Sequence, residues 1–405
     1  MKIIKCFLVC VTTLACFSCT EKTLEPISGS KGKPGVITEV VPTPIPGGVE
    51  ITYRIPNNED ILGVKTEYTL SNGQKRESVT SVYNNTLRIE GFTDTDEHTA
   101  LVYAVNLAQE LSEPVPIQFT PLESPLTKTI RSVEIVEDWG GVQFRWKNLD
   151  KAPLNFELLA VDSVTNTLKP ARIIASNADS LAQVLRGYKP EPQKFALLVS
   201  DLFGNKSDTI YPATGNITPL FEERLNKTEM TFLWLDNDVT YSRNNGNDGR
   251  TENLIDDDLT NWGQNDADAL DLGAPFSLNL AHKVKLSRFV MHLRFMTFDN
   301  GGYYYWANPR YFEVYIPTNT TIPPPQNGDW AGWTKVLDCE IVKPSGLPLQ
   351  QNTAEDREAG DRGFEFAFPL DIVSTQYVRF KFLETWSLFR QVHFNELTLY
   401  GLVEP

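Results

Sequence analysis

Asn253-Leu254-Ile255-Asp256-Asp257-Asp258-Leu259-Thr260-Asn261-Trp262 is the stretch that decides how this chain reads. Two apolar residues run into three carboxylates, and a Thr and a Trp close the group. The order predicts a strand end, then an acidic turn, then a buried indole that pins it. Hard cations take several oxygen ligands from such turns. Asp256, Asp258 and Thr260 offer oxygens, and Glu396 joins them if the first and last strands meet.

Outward from that turn, apolar and polar residues alternate in one segment after another, the period of a half-buried strand. Phe276-Ser277-Leu278-Asn279-Leu280 is the cleanest. Phe289 to Leu293, Tyr311 to Tyr315 and Thr375 to Phe382 follow, and Phe394-Asn395-Glu396-Leu397-Thr398-Leu399-Tyr400-Gly401 ends the series.

An acidic turn with Thr-x-Trp, a β-rich body and a final Glu-x-x-x-Tyr-Gly strand resembles the discoidin family, also called coagulation factor 5/8 type C. The resemblance spans residues 219–405 and implies a galactose-binding-like β-sandwich or jelly roll. Many members are carbohydrate-binding modules, and many hold a structural calcium ion. Carried onto this chain, the calcium ligands are Asp256 or Asp257, Asp258, Thr260 and Glu396. The turn is one residue shorter than the family's, which leaves the choice between Asp256 and Asp257 open. The family's Asp-Leu-Gly strand end is replaced by Asn279-Leu280-Ala281, with a literal Asp271-Leu272-Gly273 just upstream.

In such modules the loops at one end of the barrel carry ligand. Two aromatic loops stand out here. One holds Tyr303-Tyr304-Tyr305-Trp306-Ala307-Asn308-Pro309-Arg310, the other Trp386, Phe389, Arg390 and His393. Four consecutive aromatics cannot all face a core, because strand side chains alternate. A pyranose packs its apolar face on a ring and takes directed hydrogen bonds at its hydroxyls. The carbohydrate-binding set is therefore Tyr304, Trp306, Asn308, Arg310, Trp386, Phe389 and Arg390, with Trp306 and Trp386 carrying most of the affinity. Trp262 reads as core, and Trp330 and Trp333 as packing in a turn.

The remaining chain reads as leader, tether and two repeats. Lys2 and Lys5 precede an apolar run, Ile3 to Phe17, too short to span a bilayer as an anchor. Leu14-Ala15-Cys16 and Phe17-Ser18-Cys19 both resemble the bacterial lipobox. Cys19 is the expected lipidated residue, because Thr20-Glu21-Lys22 follows it at once. An ordinary cleaved secretory peptide is the alternative. Residues 1–18 are then signal peptide, and 19–35 a Pro- and Gly-containing tether. Residues 36–121 and 122–218 resemble fibronectin type III sandwiches, because Gly47-Gly48-Val49-Glu50-Ile51-Thr52-Tyr53 returns as Gly140-Gly141-Val142-Gln143-Phe144-Arg145-Trp146. The expected fold is all-β: two tandem immunoglobulin or fibronectin III-like sandwiches and a discoidin-like third domain.

A net charge of -15 argues against nucleic acid, which selects clustered Lys and Arg. Four of the five cysteines lie in the first 19 residues, so the folded part has no disulfide framework. His98, His282, His292 and His393 show no metal-ligand spacing, and no catalytic motif appears. The domain order is similar to Bacteroidetes surface lipoproteins encoded beside glycan-uptake systems. That resemblance implies a non-catalytic glycan-binding lipoprotein of the outer membrane. Its partners are carbohydrate, membrane lipid through the anchor, and outer-membrane transport or glycan-binding proteins. The alternative is a structural or protein-interaction subunit of a glycan-import assembly that binds no sugar. A degradative enzyme is the third reading. Exposed rings beside a polar cleft favour sugar; a broad apolar patch favours a protein partner.

Overall fold

The computed structural model describes residues 26–57, 60–236, 238, 249–265, 275–321, 324, 327 and 329–405. The signal segment, Cys19 and Asp271-Leu272-Gly273 lie outside them.

The fold is all-β. Helix is confined, among the described residues, to Pro125–Arg131, Ala354–Arg362 and one 3-10 turn, Thr251–Leu254. In the first sandwich, a sheet of Thr38–Ile45, Gly48–Arg54 and Thr86–Glu90 accompanies a four-stranded sheet ordered Lys75–Ser81, Ile61–Thr69, His98–Asn106, Val115–Phe119. Alternation explains the core. Val49, Ile51 and Tyr53 point inward from one sheet, and Ala100, Val102 and Ala104 from the other.

The second sandwich repeats the plan with Glu134–Asp138, Gly141–Lys147 and Ser180–Arg186 against Leu168–Ser176, Leu154–Val161 and Phe195–Ser200. Its core centres on Trp146, stacked on Phe156 with ring centroids 4.0 Å apart. The repeated glycine pair has a definite task in each copy. Gly47 and Gly140 take φ of 69° and 61°, the left-handed region that only glycine enters freely. Gly48 and Gly141 meet the neighbouring strand so closely that a Cβ would fall 2.0 Å from the Ile89 carbonyl oxygen and 1.7 Å from that of Leu185.

The third domain is built on one antiparallel sheet ordered Glu223–Arg224, Glu396–Val403, Phe276–His292, Thr375–Thr385, Pro309–Pro317, Trp333–Glu340. Phe276–His292 bends and serves four neighbours. Its register shifts between Asn279 and Val284, where Ala281 takes a φ of 67°. Before the bend it pairs with Thr231–Phe232 and Thr375–Thr385, and beyond it with Phe364–Ala367 and the last strand. Phe276, Phe289, Phe312, Phe380, Phe382 and Phe394 fill the interior.

Two expectations change. The stretch read as a strand end is a single 3-10 turn, closed by Asn253 N donating to Arg250 O and Ile255 N donating to Glu252 O. Leu254 and Ile255 are nevertheless buried. Trp262 is half-buried rather than core, and the Arg294 guanidinium covers its ring at 3.3 Å.

Candidate functional site

Residues 294–308 form a loop that enters the strand Pro309–Pro317, and Asn308 closes it. Fully buried, Asn308 accepts from Arg294 N at 3.1 Å through Oδ1 and donates through Nδ2 to Arg294 O and Tyr303 O at 2.8 Å each. The second loop is sewn to the first along the backbone. Trp386 N donates to Asn308 O, Ser387 N to Trp306 O, and His393 N to Ala307 O. Trp306 N in turn donates to Ser387 Oγ at 2.8 Å.

This arrangement sorts the aromatic run. Tyr304 turns inward, donates its hydroxyl to Asp356 O at 3.1 Å, and meets Trp386 edge-on with ring centroids at 5.2 Å. Trp386 packs on the core with its Nε1 buried. Arg310 lies 5.1 Å from the Trp386 ring and donates to Glu384 at 3.1 Å. Tyr304 and Asn308, wholly buried, therefore support the loops rather than face a ligand, while Arg310 and Trp386 stay half-buried beside them. Tyr303 to Ala307 folds as turns and bends rather than a strand, so alternation does not govern it, and Trp306 takes a φ of 55°. Its ring swings among Phe298, Phe389 and the fully buried His393, at 5.8, 5.5 and 5.2 Å. Phe298 is 46%, Phe389 42% and Leu388 73% exposed, and Arg390 is exposed beside them.

A cleft of about 550 Å³ opens on the same loop, lined by Phe295, Met296 and Tyr303 as well as by Asn300, Gln350 and Asn352. Close packing builds it. A Cβ on Gly301 would fall 2.3 Å from the Tyr305 ring, and one on Gly360 would fall 1.9 Å from that of Tyr303. Asn352 donates to Asn300 O at 2.6 Å, tying the helix approach to the loop. Tyr305 links cleft and ring cluster: its ring lies 6.0 Å from Phe298, and its hydroxyl accepts from Gln350 at 3.3 Å. Thr353 caps the helix Ala354–Arg362 in a capping box with Asp356, which also accepts from Ser345 and is wholly buried. Burial raises the Tyr303 phenol well above its ordinary range, and the adjacent Asp361 raises it further.

The early turn and the last strand do meet, through a cation supplied by the chain. Glu396 Oε1 lies 2.7 Å from Lys227 Nζ and accepts from Leu397 N at 2.8 Å, while Oε2 accepts from Asp257 N at 2.5 Å. Asp257 Oδ1 lies 2.6 Å from the same Nζ and also pairs with Arg224. Asp256 is occupied by Asp258 N and Asn261 Nδ2, and Asp258 by the amide and hydroxyl of Thr260. Among the described residues no group of three or more His, Cys, Asp or Glu is placed to hold a metal ion. The donor set that the resemblance assigned to calcium does not fit one here. Its oxygens are taken by the Lys227 ammonium, the Arg224 guanidinium, backbone N–H groups, the Asn261 amide and the Thr260 hydroxyl, where Ca²⁺ would gather six to eight oxygens. Burial drives the Glu396 carboxyl up to about 7 against the pull of Lys227, whereas Lys227 and Arg224 hold Asp257 below the usual range despite its partial burial.

Comparison with known proteins adds three family matches. Each matched family is described as a domain of unknown function: DUF4959 over residues 34–121, DUF5126 over 122–228 and DUF5000 over 252–401. No curated protein matches the chain. Among solved structures, the chain is similar to a SusE-like protein at 28% identity over 68% of this chain and 98% of that one, with a TM-score of 0.43. It is similar to the F5/8 type C domain of a Bacteroides fragilis protein at 12% identity, over 45% of this chain and 98% of that one, TM-score 0.30. A two-domain fibronectin type III segment of chicken tenascin matches at 12% identity, over 45% of this chain and 99% of that one, TM-score 0.22.

Several residues of the site escaped the sequence reading: Phe298, Asn300, Tyr305, Gln350, Asn352 and Arg357. Two signals pointed to them. Gly301-Gly302 directly precedes the aromatic run, and Thr353-Ala354-Glu355-Asp356 has the spacing of a helix cap.

Proposed function

We propose that this chain is a non-catalytic, surface-anchored glycan-binding protein whose third domain takes carbohydrate at the Trp306 loop end. One observation carries the reading: partly exposed rings, Phe298, Trp306 and Phe389, stand on the same loop end as a cleft partly lined by amides and hydroxyls. A pyranose needs that combination, a ring for its apolar face and directed polar groups for its rim. The basic start, the short apolar run and Cys19 support an outer-membrane lipid anchor, with the two sandwiches as spacers or docking modules for transport partners. A second reading, docking of a protein, is favoured by Leu388, a highly exposed aliphatic side chain that offers no stacking plane.

The test is a glycan array with the mature chain, followed by calorimetric titration of Trp306→Ala and Asn352→Ala with a glycan that binds. Loss of the indole weakens binding roughly 5- to 30-fold, about 1–2 kcal/mol. Unchanged affinity in both variants moves the site elsewhere. An array with no bound glycan leaves the protein-docking reading.

A further inference from the structure

We infer that the Lys227 ammonium is the resident cation at the junction of the acidic turn and the last strand. The third domain thus joins its ends without calcium, and removing the ammonium exposes a site for a divalent cation. This goes beyond the glycan reading and stands whether or not that reading holds.

The chain delivers Lys227 to this place. Glu223–Arg224 pairs with the last strand, and Leu225 N donates to Leu399 O, so the next residues run along the strand's N-terminal half. Lys227 then turns inward until only 5% of its side chain is exposed, facing a Glu396 side chain that is 3% exposed. It bridges Asp257 and Glu396 at 2.6 and 2.7 Å, spanning the two elements that a metal would join. Arg224 meets Asp257 from outside.

Charge and space both argue against a second cation. Two carboxylates, one of them raised to about 7 by burial, face two cationic side chains, so the junction has no negative charge left for a second cation. A calcium ion needs oxygens at about 2.3–2.6 Å, and Nζ stands where that cage would close. A tethered cation also differs from a bound one in kind. A bound ion stabilises only when its concentration exceeds its dissociation constant, whereas an ammonium on the chain is always present. Without Lys227, the buried Glu396 carboxylate would lose its partner, and only the half-exposed Asp257 and Arg224 would remain beside it. Leaving a buried charge without its partner is strongly destabilising, and a divalent ion relieves it.

The experiment compares the mature protein, Lys227→Ala and Lys227→Met by scanning calorimetry in EDTA and in millimolar CaCl2. The wild-type third-domain transition is expected to be the same in both. Lys227→Ala melts lower in EDTA by roughly 10 °C and recovers part of that loss in calcium. Magnesium restores less, because it gives up its waters reluctantly. Lys227→Met keeps most of the side chain's length and removes its charge, so it too melts below the wild type in EDTA. If Lys227→Ala does not fold in EDTA, its refolding yield in calcium against EDTA replaces the melt. A wild-type melt raised by calcium overturns the inference. So does Lys227→Ala melting like the wild type, or failing to respond to calcium. Lys227→Met melting like the wild type in EDTA would show that Lys227 acts by packing rather than charge.

Discussion

The second sandwich and the third domain spend their aromatic residues differently. In the sandwich, Trp139 and Trp146 are buried, and Trp146 lies flat on Phe156. At the loop end of the third domain, Trp306 meets its neighbours edge-on, and two of those neighbours face solvent. The difference comes from the backbone. Trp146 sits in a regular strand, Gly141–Lys147, where alternation dictates its direction. Trp306 sits in a turn, in a left-handed conformation, where no alternation applies. Surface rings therefore collect where the period of two fails.

Trp146→Ala tests the buried side of that contrast and carries the largest effect. It should cost roughly 3–5 kcal/mol of second-sandwich stability and leave any glycan affinity of the third domain unchanged. Calorimetric melting and titration read the two separately. A small loss of stability would mean that the stack with Phe156 is dispensable.

Trp386→Ala sharpens the boundary between support and surface. Because Trp386 packs on Tyr304 with its Nε1 buried, its truncation should lower third-domain stability by roughly 2–3 kcal/mol. Weakened glycan binding with an unchanged melt would instead return Trp386 to the ligand face.

The smallest effect concerns His393, the buried base under Trp306. Burial pushes its pKa well below the ordinary value, and nearby Arg294 adds to the shift. The unfolded chain then binds a proton that the folded chain refuses, so this group's contribution to stability falls as pH drops below about 6.5. His292, lowered mainly by burial, acts in the same sense. Glu396 acts oppositely: its carboxyl, raised to about 7, favours the fold as pH falls from 7 towards 4.5. Comparing His393→Phe with the wild type isolates the histidine. The variant should lose less melting temperature than the wild type between pH 7 and 5.5, and equal losses would contradict the assignment.

The fold was legible wherever local chemistry decides it. The paired glycines at 47–48 and 140–141 announced both sandwiches, because one supplies a left-handed turn and the other a close approach. The alternation in Phe276-Ser277-Leu278-Asn279-Leu280 announced a strand, but only the bend at Ala281 shows how it serves four neighbours. The site was legible in part. Strand alternation was the reason to expect rings of the aromatic run at the surface, but the run folds as turns and bends, so its rings are sorted by loop geometry instead. Which rings emerge rests on the φ of Trp306 and on the clamp made by Asn308. Lys227 was hidden for another reason: it lies far along the chain from both carboxylates it joins, and no spacing rule connects them.

Cys339 lies in the strand Trp333–Glu340, buried and free, its thiol pushed up to about 12 by burial and then by Asp338. Only a thiolate attacks an alkylating reagent, so the closed domain holds this sulfur inert. Each transient opening of the sheet's edge exposes it. The rate at which the peptide bearing Cys339 takes up label is therefore an internal clock. It times the breathing of the third domain without any engineered reporter.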